Sequence, residues 1–325
     1  MKINNNSHYY KVPTLKYSNY KKAPVFNGHT GCEEFAKNSI GRLVHETAFF
    51  REAETDEFLK NFILTQWKNK PKINIICGAC STGEEVITLS MLLNEIKNKV
   101  SILGLDISHN SIKEAKSKIY RTSYNPRRNT SADEDRFLWL PDTKKKLSDK
   151  EQEYKNLFEQ FFDKIDIKEL SLFNKRQNNN SISLKVFDRL MNFLSGGKND
   201  KKYKGVFRLK DGMAENCSFK QADIMDINLI TSENKADIIT FRNAIYHLIT
   251  EELDFCRYIK LDSYLIVDKI LSRIKASLNP NGLIVFGANE KEQILNDKLI
   301  SDRLIINGFK PLNGTEKTAT VWQKK

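Results

Sequence analysis

Residues 77–85, CGACSTGEE, gather two thiols, two glycines and two adjacent carboxylates directly after the apolar run Ile73 to Ile76. Small residues let a backbone approach a ligand, and a helix that starts there offers unpaired N–H groups. A phosphate is disfavoured: no Gly-Lys-Ser/Thr closes the loop, and Glu84 and Glu85 would repel an anion while suiting hydroxyls or a cation. The plainer reading of the two acids is that they complement a helix dipole. Cys77 and Cys80 have no second Cys or His pair nearby at zinc spacing, and the glycine and acids separate them from the helix start that a redox Cys-x-x-Cys would occupy.

Asp106 is the next candidate, at the end of a second apolar run, SILGLDIS (101–108). In open sheets that bind nucleosides, an acid at that strand end accepts hydrogen bonds from both ribose hydroxyls; the alternative is a simple strand-end cap. A dinucleotide would prefer the full Gly-x-Gly-x-x-Gly loop, absent here. The acidic, phosphate-poor loop fits a cationic sulfonium nucleoside, S-adenosylmethionine, better.

Elements must hold these groups. Strand-like runs at 73–77, 101–108, 218–224, 236–243, 282–290 and 318–323 alternate with helical patterns at 84–98, 111–119, 250–278 and 291–307, which predicts an α/β, Rossmann-like, doubly wound, mainly parallel sheet. Residues 1–32 read as a basic irregular arm with lysines and tyrosines but no acid, 33–70 as a short helical segment, and 71–325 as the main domain. An inserted subdomain, helical near 154–162, is expected at about 121–204. With 325 residues, 40% of them hydrophobic, the chain can bury a large core; its formal charge of +12 fits either lysines spread over solvated faces or an acidic partner. Apolar runs are too short for membrane insertion, the first residues lack a secretory h-region, and the five cysteines read as free thiols in a reducing, cytoplasmic setting.

Five collinear blocks together resemble the CheR-type (chemotaxis receptor) protein-glutamate O-methyltransferase family: HETAFFRE (45–52), CGACSTGEEVITLSMLL, LGLDISHNSIKEAKSKIY, FRNAIYHL and LNPNGLIVFGANE. The resemblance implies a sheet of the class I methyltransferase type, S-adenosylmethionine as cofactor with S-adenosylhomocysteine as product, and an acidic or glutamate-containing protein as acceptor. It places His45, Thr47, Arg51, Ala79, Glu84 or Glu85, Asp106, Asp223, Ile224, Arg242 and Asn243 around the cofactor, with Arg51, Asn243 and Tyr246 in catalytic positions. Arg51 is otherwise read as an ion-pair partner of Glu52 or Glu54.

The acceptor side departs from the family. Its basic docking domain reads as truncated or replaced before residue 45, His45 stands where the family has Asn, His247 stands at the family's Tyr position with Tyr246 one place early, and the small β subdomain falls in a region that reads as expanded and helical. Transfer to a small-molecule acid or amine, and a non-catalytic nucleoside- or RNA-binding module, therefore stay beside carboxylate methylation as readings.

Overall fold

The computed structural model describes residues 47–123, 149–165, 204–242, 263–287, 299–315 and 319–325. Seven strands form the main sheet: β1 (Ile73–Gly78), β2 (Val100–Asp106), β6 (Cys217–Gln221), β7 (Ala236–Phe241), β8 (Leu278–Phe286), β9 (Phe309–Pro311) and β10 (Val321–Lys324). Their order is β6-β2-β1-β7-β8-β10-β9. The first five in that order are mutually parallel, and β10 runs antiparallel to both β8 and β9. This is the doubly wound sheet that the alternating pattern predicts, completed by the antiparallel β10.

Helices α1 (Ala53–Gln66), α2 (Glu84–Leu92), α3 (His109–Ser117), α4 (Asp149–Phe161), α5 (Ser263–Ser277) and α6 (Leu299–Ile306) pack around it. Side chains alternate across a strand, so β1 feeds two cores. Ile76 joins Leu105, Ile239, Phe241 and the α5 residues Val267, Ile270 and Leu271 on one face. Ile75 and Cys77 join Leu59, Ile63, Val86, Leu89 and Ile112 on the other.

Two differences from the sequence reading concern the elements near the site. The helix expected over 84–98 ends at Leu92, and a 3-10 segment, Asn94–Lys99, with non-helical Ile96 carries the chain into β2. The inserted region is not solely helical: β3 (Ile119–Ser123), β4 (Phe162–Lys164) and β5 (Lys204–Leu209) make a separate antiparallel sheet in the order β3-β5-β4. These strands are short and pair residues far apart in sequence, so no periodic window marks them.

Candidate functional site

The strand order reverses at β1, whose neighbours β2 and β7 lie on opposite sides. The crevice beyond the carboxyl ends of such strands is where open α/β sheets bind ligands. There the 77–85 loop turns tightly. Ala79 and Ser81 have φ of 52° and 49°, and Gly83, at 92°, caps α2. A Cβ at Gly83 would lie 2.7 Å from the Phe219 ring, and one at Gly78 would lie 2.8 Å from the Ile224 side chain. Both glycines therefore permit close packing, and Gly83 the turn as well.

Asp106 orients the loop from the next strand. Its Oδ2 accepts from the Ser81 N–H at 2.8 Å and its Oδ1 from the Ser108 N–H at 2.8 Å. A carboxylate offers about four lone-pair sites, so these two bonds fix its attitude without exhausting its acceptor capacity. Asp223 caps the single turn Ile224–Asp226 by accepting from the Met225 N–H at 2.8 Å. Ile224 walls the end of β1.

Glu84 and Glu85 take different roles. Glu84 is buried, accepts from the Thr82 hydroxyl at 2.6 Å, and shares a hydrogen bond with Thr47. Burial pushes its pKa up to about 7 against these bonds. Glu85 accepts from the Thr240 hydroxyl at 2.5 Å and lies 3.4 Å from Arg242 Nε. Arg242 Nη1 in turn donates to Asp56 Oδ1 at 2.6 Å. Burial works against the Arg242 charge, but Asp56, Glu85 and Glu52 more than restore it. Asp56 and Glu85 are themselves raised by burial, with Arg242 opposing.

The block before α1 sets Thr47 and Arg51 in place through aromatic anchors. Phe50, with φ 51°, donates its N–H to Thr88 Oγ1 at 3.1 Å and stacks on Tyr154 at 4.4 Å. Phe49 meets Tyr120, Phe158 and Phe162 edge-on at 5.1–5.3 Å. With the chain so clipped, Thr47, Arg51, Asp56, Ala79, Glu85 and Arg242 line one small cavity. The structure thus brings Thr47, Arg51, Ala79, Glu85 and Arg242 together, with Glu84 bonded to Thr47 and Asp106 bonded to the Ser81 amide. Asp223 and Ile224 stand at the other side of the β1 end. His45, Asn243 and Tyr246 lie outside the described residues.

The thiols belong to the packing. Cys77 and Cys80 are both buried and unbridged, burial raises both pKa values well above the ordinary thiol range, and Cys80 Sγ sits against the β2 backbone at Gly104. Asp56 and Thr240 are site residues that the sequence reading missed. Asp56 precedes Leu59 and Ile63 by three and seven positions, so it shares their inward stripe; that spacing was the available signal.

The match with known proteins begins at the same block. Residues 45–167 match the family model described as the CheR methyltransferase, SAM binding domain. The chain is 32% identical over 127 residues to the chemotaxis protein methyltransferase of Borreliella burgdorferi, covering 32% of this chain and 45% of that protein. It thus spans less than half of that relative's length. Among solved structures it is similar to magnesium protoporphyrin IX methyltransferase from Synechocystis PCC 6803 with bound SAM (11% identity, 90% of this chain and 89% of that one, TM-score 0.36). It is also similar to the N-methyltransferase NodS from Bradyrhizobium japonicum WM9 in complex with S-adenosyl-L-homocysteine (9%, 90% and 94%, TM-score 0.36). Both are too distant to bear on activity.

The fold is a doubly wound, mainly parallel sheet with a tight small-residue loop at its switch point. Residues 45–167 are similar to the CheR methyltransferase, SAM binding domain, whose ligand, S-adenosylmethionine, is the expected cofactor. The residues present fit that ligand. The loop leaves no room for side chains at Gly78 and Gly83, its carboxylates suit a cation and hydroxyls, and the buried Ser81 Oγ and Arg242 Nη2 have no hydrogen-bond partner among the described residues.

Proposed function

We propose that this chain is an S-adenosylmethionine-dependent methyltransferase whose acceptor is a carboxylate, a glutamate side chain of an acidic protein. The observation that carries the reading is the acid-lined, phosphate-poor loop at the β1 end, oriented by Asp106 and backed by a buried Arg242 that keeps its charge. When bound, the cofactor supplies an electrophilic methyl group on a sulfonium sulfur. Asp106 would accept from the ribose hydroxyls, Asp223 and Ile224 would hold the adenine, and Glu84 and Glu85 would face the polar end with Thr47 and Ala79. Arg51 would hold a carboxylate by a bidentate fork; by the resemblance, His45 and Asn243 would join the cofactor's contacts, and Asn243 and Tyr246 would face the acceptor.

A carboxylate is already nucleophilic at neutral pH, so no general base is needed. Arg51 would hold the acceptor carboxylate so that one oxygen faces the methyl group that the bound cofactor would supply, with S-adenosylhomocysteine as the product left behind. Alignment in a water-poor cleft supplies the rate. The product ester has lost one negative charge, an electrostatic switch on the acceptor.

Calorimetric titration with S-adenosylmethionine and S-adenosylhomocysteine tests the cofactor: micromolar binding of both is expected, and its loss in Asp106→Ala. Incubation with acidic proteins and radiolabelled cofactor should yield base-labile methyl esters. Cofactor binding without esters would overturn the carboxylate acceptor alone; no binding to either ligand would overturn the whole reading.

A further inference from the structure

The end of the sheet opposite the cleft has its own chemistry. All five parallel strands start there, and lysines lead into four of them: Lys97 and Lys99 into β2, Lys70 and Lys72 into β1, Lys235 into β7, and Lys275, from α5, into β8. The antiparallel β10 brings Lys324 and Lys325 to the same end, where the Lys325 N–H donates to the Gly308 carbonyl just before β9.

Contacts across neighbouring strands make this one surface. Lys99 Nζ donates to the Lys68 carbonyl at 3.3 Å, Asn74 and Asn279 both donate to the Lys235 carbonyl, and Lys324 Nζ donates to the carbonyls of Lys275 and Leu278 at 2.8 and 2.7 Å. Strands about 4.8 Å apart make the row from β2 to β9 roughly 24 Å long. The charges are held together against repulsion: burial, then Lys235 and Lys275, press the Lys324 pKa down. The acids at this end do not cancel them. Asp237 is buried beneath Lys70, at 2.5 Å; among the described residues there, Glu95, Glu215 and Glu233 are the exposed ones.

We propose that this strand-start surface docks on an anionic lipid bilayer, held by charge alone. The residue types favour a lipid surface over nucleic acid. The cations are lysines, compact point charges without the planar fork that reads phosphates or bases bidentately. The half-buried Trp67 lies under Lys70, 4.7 Å from its Nζ, so among the described residues it offers no open stacking platform beside the lysines. A row of strand starts crossed by short turns matches a broad sheet of headgroups, and clustered lysines are what such a sheet attracts. None of the described helices is long and apolar enough to cross a membrane, which fits attachment without insertion.

The test is co-sedimentation of the full chain with phosphatidylglycerol/phosphatidylcholine vesicles in 50 mM salt. Binding to these and not to pure phosphatidylcholine is expected, with loss at 300 mM salt. Each lysine near such a surface strengthens partitioning about fivefold, so the exposed trio Lys72→Gln, Lys97→Gln and Lys235→Gln should weaken it about a hundredfold. The exposed control trio Lys113→Gln, Lys116→Gln and Lys164→Gln should change it less than threefold, and both variants should keep the parent unfolding midpoint. No vesicle binding at low salt, equal losses in both variants, or tighter salt-sensitive binding to a single-stranded RNA oligonucleotide would each overturn the proposal.

Discussion

A buried arginine with two carboxylates is costly unless the set is kept whole. Arg242 meets Asp56 at 2.6 Å and Glu85 at 3.4 Å, joining α1, the β7 end and the first turn of α2 at the mouth of the cleft. Asp56→Asn, which keeps the shape and removes the charge, should cost about 3 kcal/mol of stability. Arg242→Gln should cost as much, and the double variant less than the sum, because each single change strands a buried partner; urea unfolding of the three variants checks this. Glu84 adds a pH dependence. Its folded pKa is about 7 and its ordinary value 4.5, so between those values the native state holds a proton that the unfolded chain has released. Stability therefore falls as pH rises through that window, by up to about 3 kcal/mol. Relative to Glu84→Gln, which does not titrate, the parent should lose unfolding free energy steadily from pH 5 to pH 8; a constant difference would contradict the assignment.

Elements place these residues through a few tight contacts. The loop between β1 and α2 depends on Gly83, where positive φ and the Phe219 ring both exclude a side chain. Gly83→Ala should destabilise the fold by about 1–3 kcal/mol and weaken S-adenosylhomocysteine binding at least tenfold, read by thermal unfolding and calorimetry. What was legible in the sequence follows from range. β1, β2, β7 and β8 announce themselves because their local runs are apolar enough to be buried on both faces, and the loop between β1 and α2 is read with them. The sheet of β3, β4 and β5 could not be read that way, since Ile119–Ser123 finds its partner at Lys204–Leu209 and neither run reveals the other. The same holds within the site. Glu84, Glu85 and Asp106 sit next to recognisable strand ends, whereas the local pattern marks Asp56 only as inward-facing and its charged partner, Arg242, lies 186 positions away. The ring stack of Phe50 on Tyr154 likewise ties the Thr47–Arg51 block to an inserted helix that no local pattern connects with it.

At the scale of the whole molecule, charge is sorted by sheet direction. The carboxyl ends of β1, β2 and β7 gather Glu84, Glu85, Asp106 and Asp56 with their buried arginine, while the amino ends gather lysines. Parallel strands make this sorting cheap, because every β-to-α turn falls at one end and every α-to-β turn at the other. The two ends can therefore be altered separately: substitution of Lys72, Lys97 and Lys235 should leave the affinity for S-adenosylhomocysteine within twofold of the parent, measured by the calorimetry used for the cleft. Strand β1, six residues from Ile73 to Gly78, is the distance between the two ends, about 20 Å at 3.3 Å per residue. Seated on its lysines, the molecule would work as a ruler, reaching acceptor side chains that stand about that height above the headgroups and passing over those that lie closer.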